Sequence, residues 1–159
     1  MRNPTGSWLL VVSASLALLL PVGCSGKRED KWTRERPPVY PASGQLLLDG
    51  EPVEKATVTF QPIDAVGKPG SAITDRNGYF QVTTFDPGDG LTTGRHRVAV
   101  QKTHIVDQSG NIVTEIREPG GLIEKNFLPK RYADFQKSGL EVTVEESHSN
   151  DLGQINLSK

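Results

Sequence analysis

The chain has 159 residues, with 18 basic against 19 acidic side chains, three histidines and a single cysteine. That length suits one domain and leaves no room for a core plus a separate catalytic domain. The balanced charge offers no basic stripe for nucleic acid and no acidic tail, and one thiol excludes an intrachain disulfide and any cysteine-rich zinc site.

The first 23 residues read as a removable leader. Arg2 supplies positive charge, and Trp8 to Leu20 (WLLVVSASLALLL) is an unbroken apolar run. The run is shorter than the roughly 20 residues a membrane-spanning helix needs, and it matches the apolar core of a secretory signal. It ends at Pro21-Val22-Gly23-Cys24-Ser25. These residues resemble a bacterial lipoprotein leader, in which a small residue before the cysteine permits cleavage and the thiol carries diacylglycerol. Gly23-Cys24 fits that pattern. Pro21 departs from it, since Leu is preferred three places before the cysteine and Leu20 stands one place early. The other reading is an ordinary cleaved signal with an incidental cysteine. The position of the one cysteine at the end of the apolar run favours lipidation of Cys24. Several acyl chains, at about 0.8 kcal/mol per buried CH₂, would make the attachment stable.

Residues 24–42 include the polar, proline-closed stretch SGKREDKWTRERPPVYP and read as a flexible tether. Its Lys and Arg residues are offset by Glu29, Asp30 and Glu35, so the stretch reads as a solvated spacer. The domain is expected over 43–159. Gly44 to Leu48 is a first strand with Leu46 and Leu48 on one face, and Asp49-Gly50 is a hairpin signal. In Ala56 to Phe60, Ala56, Val58 and Phe60 face one way and the threonines the other. Gln61 to Gly70 is a loop with two prolines and two glycines. The stretch 71–85 then reads as the central hairpin of the fold, two extended runs joined by a tight turn at Asp75-Arg76-Asn77-Gly78. Phe80 and Val82 alternate with Tyr79, Gln81 and Thr83.

Asp86 to Gly90 is another turn. The run 95–101 places Val98 and Val100 inward, with His96 on the same face. Ile105-Val106 and Ile112-Val113 flank Asp107 to Asn111 and predict a projecting hairpin. An irregular apolar crossing follows through Phe127-Leu128-Pro129 and Tyr132, with one helical turn near Ala133 to Phe135. Leu140 to Val144 and Gly153 to Leu157 close the chain as strands. About seven short strands, frequent turns and no long amphipathic helix give an all-β, seven-stranded antiparallel Greek-key sandwich.

These residues carry a family likeness. The series Gly44…Leu48-Asp49-Gly50-Glu51-Pro52-Val53…Ala56 to Phe60, then Thr74 to Phe80, then Gly94 to Val100, resembles carboxypeptidase regulatory-like domains, which have a transthyretin-like (prealbumin-like) sandwich. The segment from Leu128 through Tyr132 and Ser138 to Val144 looks like the small planctomycete-type lipoproteins that carry such a domain. The likeness spans roughly residues 40–159 and rests on turn and core positions, so it speaks to fold and little to activity. It implies an accessory module with no peptidase site. Since related sandwiches stand beside carbohydrate-binding and surface proteins, it also implies interaction with an envelope protein or a glycan.

The chemistry-bearing candidates are few. Asp75 and Asn77, with Asp86 and Asp89 nearby, offer oxygen ligands to Ca²⁺, but the expected carboxylate at the fifth place is Tyr79 and the terminal Glu is missing. Asp and Asn also brace turns through their own backbone, the reading preferred here. His96, His104 and His148 show no zinc-peptidase spacing, no G-x-S-x-G elbow is present, and the C-terminal Tyr-Arg-Gly-Ser signature of transthyretin-like hydrolases is missing. Tyr79 and Phe85, expected on one outward register of a single strand, are the candidate ligand contacts, or else a cover for the sheet beneath loop 103–127. The expectation is a non-catalytic lipoprotein, anchored outside the cytoplasm in the cell or outer membrane, whose sandwich is a structural or binding module at the cell envelope, with no cofactor. A carbohydrate- or peptide-binding module and an unrecognised hydrolase are its rivals.

Overall fold

The structure, a computed structural model, describes residues 35–64, 66–115 and 121–159. The leader, Cys24 and tether residues 24–34 lie outside the described residues. The compact unit holding the domain begins at Glu35.

Ten strands build it: Ala42–Leu48 (β1), Glu51–Pro52 (β2), Thr57–Pro62 (β3), Gly70–Ile73 (β4), Tyr79–Gln81 (β5), Gly94–Gln101 (β6), Thr103–Val106 (β7), Ile123–Asn126 (β8), Glu141–Val144 (β9) and Asn150–Leu157 (β10). The described residues contain no α-helix, only a 3₁₀ turn over Lys130–Ala133. Its Tyr132 is buried, and the Tyr132 hydroxyl accepts the Ser158 N–H at 2.9 Å. The all-β reading therefore holds, with more and shorter strands than the seven expected.

Two sheets face each other across one core. In the first, β1 lies between β10 on one side and β2 and β5, end to end, on the other. The second runs β4-β3-β6-β9. The strand alternation read from the sequence is what fills the space between them. Leu46, Phe80, Ile155 and Leu157 come from the first sheet, and Val58, Phe60, Ala72, Val98, Val100 and Val144 from the second. Phe60 is fully buried, and its ring lies tilted against Phe80 with centroids 6.0 Å apart. Burying each such ring contributes about 1.5–3 kcal/mol.

Local chemistry sets the corners. Asp49 and Gly50 both have positive φ, 52° and 87°, as a two-residue hairpin between Leu48 and Glu51 requires. At the turn after β4, Gly78 has φ 76°, and a Cβ there would stand 2.5 Å from the Leu46 carbonyl oxygen. Only glycine satisfies both conditions.

The structure revises several expectations. The stretch 71–85 is not one hairpin within one sheet. Ser71 and Thr83 exchange two backbone hydrogen bonds of 2.9 Å, but the legs then part. Thr74 stays with β3, its Oγ1 accepting the Ala56 N–H at 2.8 Å, whereas the Gly78 carbonyl accepts the Leu46 N–H and leads β5 onto β1. The turn is thus the crossover between the two sheets. The first and last strands run parallel, from Ala42 opposite Asn150 to Leu48 opposite Leu157, so the sandwich is not wholly antiparallel. The turn over 107–111 forms as expected and Val106 bridges Ile112, but the strand partner of β7 is β8, which the sequence reading missed. β1 starts at Ala42, and Tyr40 already pairs with Leu91, slightly ahead of the expected boundary at 43.

Candidate functional site

The outward side of the first sheet forms a groove of about 1090 Å³. Its floor follows from register. Gln45 of β1 stands directly opposite Tyr79 of β5 and Gln154 of β10, and Ser43 stands opposite Gln81 and Asp151. Side chains two residues apart share a face, so these six form two parallel rows across three strands. One row is Tyr79, Gln45, Gln154, and the other is Gln81, Ser43, Asp151. A bulge between the two rows, where Leu152 and Gly153 of β10 together oppose Gly44 of β1, breaks the even ladder. Gly153 has φ 68° and open space where a Cβ would go. Bulges of this kind re-aim side chains beside functional surfaces.

Hydrogen bonds fix the first row. Gln154 Nε2 donates to Gln45 Oε1 at 3.0 Å, and Gln45 Nε2 donates to the Asn77 carbonyl at 3.0 Å. The amides therefore point one way along the row, ending on the turn that carries Tyr79. That turn is braced by Asp75, whose Oδ1 accepts the N–H groups of Asn77 and Tyr79 at 2.8 and 2.9 Å. Tyr79 remains 57% exposed, and Ile73 beside it 71%. Asp151 Oδ1 accepts the Gly153 N–H at 2.9 Å. Asp75 and Asp151 are the only formally charged side chains lining the groove among the described residues.

The predicted site residues divide. Tyr79 lies in the groove. Phe85 does not, and the two do not share a strand. The chain leaves β5 after Gln81 and turns because the Asp89 carboxylate accepts the N–H groups of Thr84, Phe85 and Asp86 at 2.7, 2.9 and 2.9 Å. Partial burial opposes ionisation of Asp89, but these N–H groups outweigh it and hold the carboxyl below its usual range. Phe85 instead lies under the guanidinium of Arg36, 4.9 Å from the ring centroid, with Arg36 also 3.3 Å from Asp86. No described residue of 103–127 borders the groove. Asp75 and Asn77, the calcium candidates, sit together in the turn, where Asp75 is engaged by backbone. Among the described residues no three His, Cys, Asp or Glu side chains are grouped to hold a metal.

The histidines are dispersed. His96 is fully buried in β6, its Nε2 2.8 Å from the Thr92 carbonyl and its Nδ1 without a partner. Burial disfavours its cation and outweighs the opposing pull of the Thr92 carbonyl and Asp64, so its pKa falls below the ordinary value of 6.5. His104 packs edge-on against Phe127 at 5.4 Å, far along the chain from the groove residues, and His148 is exposed in the bend before β10.

Gln45, Gln81, Asp151 and Gln154 were missed by the sequence reading. Each is an outward position on a strand with an alternating neighbour. Which outward positions meet depends on β1 lying between β5 and β10, a pairing without a local signal.

Comparisons with known proteins add little. No family model matches the chain, and no curated protein matches it. Among solved structures, a 9R-lipoxygenase from Cyanothece PCC8801 is similar at 16% identity and a TM-score of 0.38, over 77% of this chain and 17% of that one. A likeness at that level bears on neither fold nor activity.

Proposed function

We propose that the chain is a non-catalytic, extracytoplasmic lipoprotein whose sandwich serves as a binding module at the cell envelope, tethered through lipid on Cys24. The groove over the first sheet is the observation that carries the binding role. It presents an exposed aromatic ring, fixed amides and two carboxylates on a rigid floor, the composition of a recognition surface. Dispersal of the three histidines over separate elements favours binding over hydrolysis, because acid–base chemistry needs groups that converge. The lipid tether rests on Gly23-Cys24 at the end of the apolar run.

The finer fold assignment belongs to the same proposal. Setting aside the two-residue β2 and the β7–β8 arm leaves seven strands that cross between the two sheets. That count and the crossing support a transthyretin-like, carboxypeptidase regulatory-like domain of Greek-key type.

Fractionation tests the tether. Cys24→Ser should move the protein from the membrane to the soluble fraction, and unchanged membrane retention would defeat the anchor. For binding, the lipidated chain should capture an envelope component that the Tyr79→Ala chain does not. Equal capture by both would remove the groove from the proposal.

A further inference from the structure

We infer that the groove takes a neutral polysaccharide, one sugar face stacking on Tyr79 and its hydroxyls bonding the two polar rows. This rests on the binding role above and assigns its ligand class.

Charge narrows the class first. The formally charged lining groups are Asp75 and Asp151, both acidic, and among the described residues no Lys, Arg or His lines the groove. Phosphates, uronates and anionic headgroups would meet repulsion with no compensating cation. Backbone satisfaction narrows it further. A bound peptide commonly adds a strand to a free sheet edge and draws affinity from main-chain hydrogen bonds. The groove lies instead over the face of β1, whose edges are both occupied, by β10 on one side and by β5 and β2 on the other. Among the described residues β5 and β10 pair with β1 alone, so an added strand would sit at the margins of the groove and not on its floor.

What remains matches a sugar. A pyranose has apolar C–H faces and a rim of hydroxyls that both donate and accept. The Tyr79 ring, with the exposed Ile73 beside it, offers the apolar surface. The Gln81 amide, the Ser43 hydroxyl and the second oxygens of Asp75 and Asp151 make no hydrogen bond among the described residues. They stand beside the ring as donors and acceptors for hydroxyls. The Gln154–Gln45–Asn77 chain uses its own bonds to hold the row rigid, which limits the ordering cost on binding. Three strands at about 4.8 Å spacing make a platform about 10 Å wide, suited to a short saccharide segment.

The test is native affinity electrophoresis of the full chain in mild detergent. The gels contain hydroxyethylcellulose, laminarin, xylan, glucomannan or soluble starch. Parallel lanes contain polygalacturonate, and a fluorescent oligo-arginine peptide is titrated separately. At least one neutral polymer should retard the protein, and polygalacturonate should not. Tyr79→Ala should weaken that retardation about tenfold or more, as loss of a central aromatic contact does. Tyr79→Phe should stay near wild type, because it keeps the stacking face. Gln81→Leu should give a smaller loss, and Phe85→Ala, outside the groove, should give none. Retardation by none of the neutral polymers overturns the inference, as does retardation that Tyr79→Ala leaves intact. Oligo-arginine binding that Tyr79→Ala abolishes, without glycan retardation, would overturn the sugar assignment while keeping the binding module. Absence of both would remove the module as well.

Discussion

β6 and the β7–β8 arm are neighbours in sequence, separated only by Lys102, yet they are held in different ways. In β6, His96, Val98 and Val100 are each fully buried, and the strand pairs with β3 and β9 on its two sides. In β8 no side chain is buried, and Ile123 is 56% exposed. The arm is held by its backbone ladder, by a few ring contacts such as Lys125 and His104 against Phe127, and by Asn126 Oδ1, which accepts the N–H groups of Lys102 and Leu128. Side-chain burial dominates in β6, whereas β8 is held mainly by its backbone ladder, by Asn126 and by ring contacts.

The contrast can be broken or sharpened by substitution. The largest effect belongs to the core. Phe60→Ala, opposite β6, should cost about 3–5 kcal/mol in a urea titration, since the cavity lies between two rigid sheets. A loss under about 1 kcal/mol would mean the sheets can collapse onto each other. Next, Gly78→Val should cost about 2–4 kcal/mol, combining positive φ with the close Leu46 carbonyl. An unchanged melting temperature would reject the crossover geometry. Asp89→Ala strands three backbone N–H groups in the turn after β5 and should cost about 1.5–3 kcal/mol near neutral pH.

The histidine gives a pH signature. Because folding lowers the pKa of His96, the unfolded chain binds the proton more readily. Its contribution is therefore complete above the ordinary value near 6.5 and is lost as pH falls below it. Melting temperature should drop between pH 7 and pH 5, and His96→Gln should flatten that slope. An equal slope in both proteins would mean His96 is solvated when folded. The depressed carboxyl of Asp89 acts in a separate window, losing its contribution as pH falls below the ordinary 3.8. The smallest effect is on the arm. Ile123→Ser should change stability by less than about 0.5 kcal/mol, and a larger loss would reveal burial that the strand does not show.

The same contrast explains what could be read in advance. Val58, Phe60, Phe80, Val82, Val98 and Val100 alternate because one face of their strand is packed, and alternation is visible in a sequence. β8 reads Ile-Glu-Lys-Asn with no buried face, so nothing in its pattern marks it. The turns were legible where chemistry forces them, at Asp49-Gly50 and Gly78. What was not legible is which strands pair. Thr74 bonding Ala56 while Gly78 bonds Leu46 divides the expected hairpin, and Asp89 capturing three amides takes Phe85 off the strand that carries Tyr79. Both are long-range or side-chain choices that no local period encodes. Of the site, Tyr79 was found by its exposure pattern, and its polar partners were not, because they meet only through the pairing of β1 with β5 on one side and, in parallel, with β10 on the other.

That pairing has a bearing on synthesis. Leu48 meets its β10 partner, Leu157, more than a hundred residues later in the chain, so the sheet carrying the groove lacks that edge until the late segment has emerged. Contacts this distant in sequence form late and slowly. Loss of the last few strand residues would leave the Gln45 side of the floor without its neighbour and would also take Ile155 and Leu157 from the core.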